Sequence, residues 1–256
     1  MIIQLRVYIF IMIINYKQGG NMHRIWLLTI LLTPSTASAE PTAVIHILNW
    51  HYVSRDDFAA DLQTSTGKPL TEEQIDKEYL SFLDDVKAIQ KEQMELLRKL
   101  IKKHDLKAVY IEGLSEKNHK GTLKFINTMK NYEATREPSD DPIDQLIEAQ
   151  HQMNILEAGA AARLVMSGEL KTLLPAEDSK AMEAANPVRG DGSVMFDKKA
   201  DEAREDAIVK NLMKADRVAV IILGGGHDLT DNIKRAGGGC KYEQVAVPKY
   251  YVLQKN

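Results

Sequence analysis

Four residues stand where apolar stretches of this sequence give way to glycine, proline or polar chain, and their types suit chemistry: His51, Glu112, Glu177 and His227. His227 follows R-V-A-V-I-I-L-G-G-G, residues 217–226. The apolar run 218–223 is rich in β-branched side chains and too short for a helix, so it reads as a buried strand. Gly224, Gly225 and Gly226 allow positive φ and close backbone approach, which would lift His227 to the C-terminal edge of a sheet, with Asp228 opening the next helix. His51 comes shortly after the run 43–48 (A-V-I-H-I-L), Glu112 ends the run 106–111 (L-K-A-V-Y-I), and Glu177 follows the run 170–174 through Pro175 and Ala176. A carboxylate placed where a buried strand surfaces is costly unless a cation or metal compensates it. In a parallel sheet these strand ends converge, bringing two imidazoles and one or two carboxylates to one edge. Such a set suits a divalent metal (manganese, cobalt or zinc) held by His51, Glu112 and His227, or general acid–base work on water without metal; spacing alone does not choose.

The elements that must position these groups alternate. His46 lies inside the first strand with parity opposite to His51 and reads as a histidine packed against a helix. Residues 54–70 read as a loop or short helix, after which a long helix is expected. Thr71 with Gln74 makes a capping box, Glu72 and Glu73 suit the positive end, and Lys102, Lys103 and His104 suit the negative one. Ile75, Tyr79, Phe82, Val86, Ile89, Leu97 and Leu100 give it one apolar stripe. Residues 117–132 form a weakly amphipathic helix. Asp141 caps another, with Pro142 at its first position, which runs to Ser167 and stops at Gly168; its segment G-A-A-A, residues 159–162, suits close packing. Residues 186–194 read as an exposed loop near the site, 199–214 as a helix, and 243–247 as a last strand closed by Pro248. The alternation predicts an α/β fold: a mostly parallel, mixed central sheet covered by helices on both faces, including one long helix.

With 256 residues, 44% hydrophobic and 27% charged, the chain has apolar material for one sizeable core. A formal net charge of -3 and a pI near 6.2 provide no basic field of the kind that nucleic acid or an anionic membrane requires. The single cysteine, Cys240, excludes an internal disulfide and a cysteine-based zinc cluster, and reads as a free structural thiol. His23 and Arg24 precede the apolar run 25–32, and Ala37-Ser38-Ala39 follows. That is the pattern of a secretory signal peptide over residues 22–39 with cleavage after Ala39. Residues 1–21 lie upstream of this start; their apolar stretch is shorter than the roughly 20 residues a spanning helix needs, so they read as an over-extended N-terminus. The expected product is one domain, residues 40–256, exported to the periplasm or secreted, without stable membrane insertion.

The motifs L-N-W-H ending in His51, V-Y-I-E-G carrying Glu112, the helix A-R-E-D-A-I-V-K-N-L with Arg204 near its start, and G-G-G-H ending in His227 occur in that order. In these the chain resembles the Tiki/TraB superfamily, which also includes the erythromycin esterases and the haem-binding ChaN-like proteins. The resemblance spans about Val44 to Leu229, with Leu48 standing where the first motif usually has glycine. It implies a site in which both histidines and Glu112 are the working groups, with Arg204 orienting or neutralising a carboxylate or a substrate oxyanion. In the Tiki-like branch such groups are associated with metal-dependent proteolysis, in the esterase branch a histidine acts as base on water, and ChaN-like members bind haem. The expectation is an exported, metal-dependent hydrolase of a peptide, ester or other small molecule, in which Glu177 assists. The alternative is a haem- or iron-binding protein without hydrolytic activity.

Overall fold

The computed structural model describes residues 4–18, 21–35, 40–188, 193–237 and 239–254, the first two stretches through their main chain only. The chain divides into two units, Met1–Ala39 and Glu40–Asn256. In the first, β1 (Gln4–Gln18) and β2 (Asn21–Ser35) pair antiparallel, with Gln4 opposite Ser35. The expected cleavage site at Ala37-Ser38-Ala39 lies outside the described residues. No helix among the described residues is long and apolar enough to cross a membrane.

The second unit is built on a five-stranded sheet of β3 (Ala43–Asn49), β4 (Ala108–Ser115), β5 (Thr172–Glu177), β6 (Val218–Gly224) and β7 (Lys241–Val245). The order is β5-β4-β6-β3-β7, and every pairing is parallel. Parallel pairing demands a crossover between strands. Here α1 (Arg55–Thr66) and α2 (Glu72–His104) connect β3 to β4, and α3 (Glu116–Thr135) and α4 (Pro142–Met166) connect β4 to β5. From β5 the chain passes through α5 (Ser179–Ala185) and α6 (Lys198–Leu212) to β6, and through α7 (Thr230–Arg235) to β7, ending in α8 (Pro248–Leu253).

The strands read as near-continuous apolar runs because both faces are covered. On β6, Val220 and Ile222 join Ile45, Ile47, Val109 and Leu173 in a core with α2, α3 and α4. Ala219, Ile221 and Leu223 point the other way, into a core with Val44, Tyr110 and the helices α6 and α7. The α/β fold expected from the alternation of elements is the fold observed.

Several boundaries differ from expectation for local reasons. The third strand begins at Thr172 and runs through Pro175 to Glu177; proline is tolerated there because β5 is an edge strand. Pro248 does not close β7 but occupies the first turn of α8. Asp228 does not open α7; its side chain accepts a hydrogen bond from the Thr230 N–H (3.0 Å), and the helix begins at Thr230. The helix expected to run unbroken from Pro142 is interrupted at Gly159, whose φ of 79° and ψ of -179° no helix contains. On α2 the capping box is present, but Leu83 is buried in place of the expected Phe82, and Gln90 and Gln93 lie on the buried face among the apolar residues.

Those two glutamines answer to the backbone around them. The break at Gly159 leaves the carbonyl of Leu156 without its helical partner, and Gln90 Nε2 donates to it at 2.6 Å. Three residues on, Gln93 Nε2 donates to the carbonyl of Leu48 at 3.0 Å, where β3 is running out. One face of α2 therefore reaches carbonyls of both α4 and β3 beside the site.

Candidate functional site

Glu112 is the hub. It sits in β4 just beyond Ile111, where the register with β5 shifts and Gly113 takes a φ of 74°. The irregularity turns the Glu112 carboxylate across the ends of the central strands. Oε2 accepts the Gly224 N–H of β6 at 2.7 Å and meets His51 Nε2 at 3.2 Å. Oε1 accepts from Arg204 at 3.3 Å and lies 3.7 Å from His227 Nε2.

None of Gly224, Gly225 and Gly226 is among the residues with positive φ; the first two work by closeness, while a Cβ on Gly226 would meet nothing within 4 Å. A Cβ on Gly224 would stand 2.9 Å from His51 Nε2 and 3.4 Å from Glu112 Oε2, and one on Gly225 would overlap the Tyr250 hydroxyl. The turn is also held from the far side. His46, fully buried, donates from Nε2 to the Leu223 carbonyl at 3.0 Å, so its Nδ1 accepts from the Tyr242 hydroxyl at 2.8 Å. That hydroxyl in turn accepts the Leu229 N–H at 3.3 Å. Burial pushes the His46 pKa down, which keeps the ring neutral and the tautomer fixed.

His227 is fixed at both ring nitrogens. Nδ1 meets Glu205 Oε1 at 2.9 Å, Nε2 faces Glu112, and its carbonyl accepts from Gln244 at 2.9 Å. Arg204, one residue before Glu205 on α6, lays its guanidinium along Glu177, with Nε to Oε2 at 3.1 Å and the terminal nitrogen to Oε1 at 2.5 Å. The Glu177 carboxylate is wholly buried and also takes the Gly113 N–H at 3.3 Å. His51 is the open member: its side chain is 53% exposed, against 18% for His227 and 15% for Glu112. Its Nδ1 faces Asn49 Nδ2 at 3.3 Å.

The electrostatics follow from these contacts. Burial opposes ionisation of Glu112, but the donors from His227, His51 and Gly224 prevail and hold its carboxyl far below the usual carboxylate range. The same Glu112 contact raises His51 above the ordinary histidine value, against the effect of burial. It raises His227 as well, again against burial and with help from Glu205. Glu177 raises the Arg204 guanidinium further. Three carboxylates thus face three groups able to carry positive charge.

A cavity of about 140 Å³ opens beside His51 and Glu112, walled by Gln90 and Gln93 of α2 and by the broken turn of α4 around Gly159. Among the described residues, no group of three or more His, Cys, Asp or Glu is arranged to hold a metal ion. The physical reason lies at Glu112: both oxygens already take donors, and a guanidinium 3.3 Å away repels a cation. In this arrangement His51, Glu112 and His227 do not fit a divalent ion. Taken by itself, the cavity at His51 is below the roughly 300 Å³ at which drug-sized pockets begin.

All five residues singled out in the sequence, His51, Glu112, Glu177, Arg204 and His227, meet in this one site. Arg204 orients and neutralises carboxylates, one of the two roles the resemblance implies, through Nε and one terminal nitrogen on Glu177 and Glu112. Glu205, Asn49, Gln90 and Gln93 belong to the site too; Glu205 and Asn49 lie within the motifs that carry Arg204 and His51, whereas no motif points to Gln90 or Gln93. No family model, no curated protein and no solved structure matches this chain, so the site is read on its own geometry.

Proposed function

We propose that this chain is a hydrolase that cleaves an ester by general acid–base chemistry, with His51 as base and Glu112 as its partner. The observation that carries the reading is the half-exposed His51 imidazole, 3.2 Å from a carboxylate held ionised in a protein interior and opening onto a cavity. With its Nε2–H given to Glu112, His51 takes a proton from water at Nδ1, the water displacing the Asn49 amide that contacts that nitrogen at 3.3 Å, and Glu112 stabilises the imidazolium as it forms. The water oxygen bonds to the ester carbonyl carbon, and the bond to the leaving oxygen breaks. The His51 imidazolium then returns the proton to that oxygen, while His227, held at both ring nitrogens by Glu112 and Glu205, keeps Glu112 in place. Arg204 acts at one remove, pinning Glu112 and neutralising Glu177. That the protein is exported is part of the proposal and is supported by the leader-like pattern of residues 22–39.

The test is hydrolysis of p-nitrophenyl acetate by the full chain and by His51→Ala and Glu112→Gln, each checked for native far-ultraviolet circular dichroism. Removing a general base costs about 10²–10⁴-fold in rate. A folded His51→Ala protein that keeps its activity sinks the proposal. Activity is expected to survive a chelator; activity lost to the chelator and restored by manganese, cobalt or zinc would instead make His51, Glu112 and His227 metal ligands.

A further inference from the structure

A cavity of about 610 Å³ lies between α3 and α4, and one of about 260 Å³ continues it, with Phe125 lining both. On α3 the lining residues Asn118, Gly121, Thr122, Phe125, Met129 and Tyr132 recur at helical spacing and make one face. On α4 the opposite wall is another such face, through Ile147, His151, Asn154 and Ala158. The two cavities are therefore one groove, which at the helical rise runs roughly 20 Å from Asn118 to Tyr132. Its lining is mostly apolar, and Phe125 and Ile147 stand exposed along it, at 42% and 47%. Its near end is the candidate site: Ile111, Glu112, Glu157 and Ala158 line both the groove and the cavity beside His51.

Gly121 says what the groove is for. Glycine inside a helix costs stability relative to alanine, and the usual reasons for accepting that cost are a positive φ or close packing. Gly121 has neither: no positive φ is found there, and a Cβ would meet nothing within 4 Å. What its missing side chain leaves open is the groove.

We infer that the groove takes the acyl chain of the ester whose carbonyl is attacked at His51, so that the substrates are esters of medium- and long-chain carboxylic acids. The inference rests on the hydrolytic reading above. A long, mostly apolar trough whose near end is the candidate site fits an unbranched chain anchored at the reacting carbonyl. Each methylene buried improves transition-state binding by up to about fourfold, equivalent to ~0.8 kcal/mol.

The experiment compares kcat/KM of the full chain for p-nitrophenyl esters from acetyl to dodecanoyl, kept below micelle formation, and measures binding of dansyl-undecanoic acid by fluorescence. The expected result is a rise in kcat/KM with each added pair of methylenes. In Gly121→Leu the ratio of octanoyl to acetyl kcat/KM should fall at least tenfold, with Gly121→Ala falling less, and the dansyl acid should bind about tenfold more weakly. Phe125→Trp, at the junction of the two cavities, replaces Gly121→Leu should that variant fail to fold, and should penalise the longest esters most. A flat chain-length profile in the native protein, or the native profile preserved in these variants, overturns the inference. Acetyl ester cleaved through His51 with no binding of the dansyl acid removes the groove and leaves the hydrolase. Dansyl acid bound and weakened by Gly121→Leu, with no ester cleaved, keeps the groove as an acyl-chain site and removes the hydrolase.

Discussion

Glu112 decides the charge state of everything around it. Because it donates nothing and stays ionised, each imidazole near it binds its proton more tightly than in water, and that fixes the direction of the pH dependence. A general base works only when neutral, so kcat/KM for an ester should rise with pH through an apparent pKa above about 6.5, the ordinary value for histidine. Glu112→Gln removes the carboxylate that holds the His51 proton, so the same limb should move to lower pH while the rate at the plateau falls. A pH profile from about pH 5 to about pH 9 reads both effects, and a limb that stays where it was in Glu112→Gln would separate Glu112 from the base. At this scale the sequence was informative wherever a polar residue interrupted a pattern. His51, Glu112 and His227 each follow an apolar run, which makes them conspicuous. Glu205 is one acidic residue among several on a charged helix, and nothing in its spacing separates the carboxylate that meets His227 at 2.9 Å from those that face solvent.

At the scale of the element, α4 shows how a helix that looks regular in sequence is broken to make a wall. The run Gly159-Ala160-Ala161-Ala162 was legible as a site of close packing, and the three alanines are indeed buried. The break was not legible, because a glycine within a periodic pattern is equally compatible with a continuous helix. Its conformation, φ 79° and ψ -179°, belongs to a region that essentially only glycine occupies. Gly159→Ala should therefore cost about 1–3 kcal/mol, measured as a lower urea midpoint at unchanged slope. It should also lower activity, since the turn walls the cavity at His51. A variant as stable as the native chain would mean that α4 can run straight and that Gln90 can give up the Leu156 carbonyl. The long helix α2 shows the opposite balance. Its ends and most of its apolar stripe could be read from the capping box and the periodicity. The function of Gln90 and Gln93 could not, since a glutamine on a polar-rich helix carries no sign of the carbonyl it will meet.

At the scale of the whole molecule, the alternation of strands and helices was enough to give a parallel sheet with both faces covered, but not the strand order. Order depends on which edge each crossover chooses, and apolar runs such as 43–48 and 218–223 are too alike in composition to record that choice. The order explains why the site forms at all: β4, β6 and β3 are neighbours at the centre of the sheet, so Glu112, the glycine turn and His51 meet only once strands distant in sequence have paired. Every site residue, both sheet-covering cores and all five parallel strands lie within Glu40–Asn256. A chain beginning at Glu40 should therefore keep the melting temperature and the ester-cleaving kcat/KM of residues 40–256 in the full chain, with activity and far-ultraviolet signal lost together in one cooperative transition. Differential scanning calorimetry beside residual activity at each temperature reads this directly. Activity that disappears well before the main transition would mean that the strand ends around Glu112 open while the sheet stays paired, and the site would then be a local structure rather than a product of the whole fold.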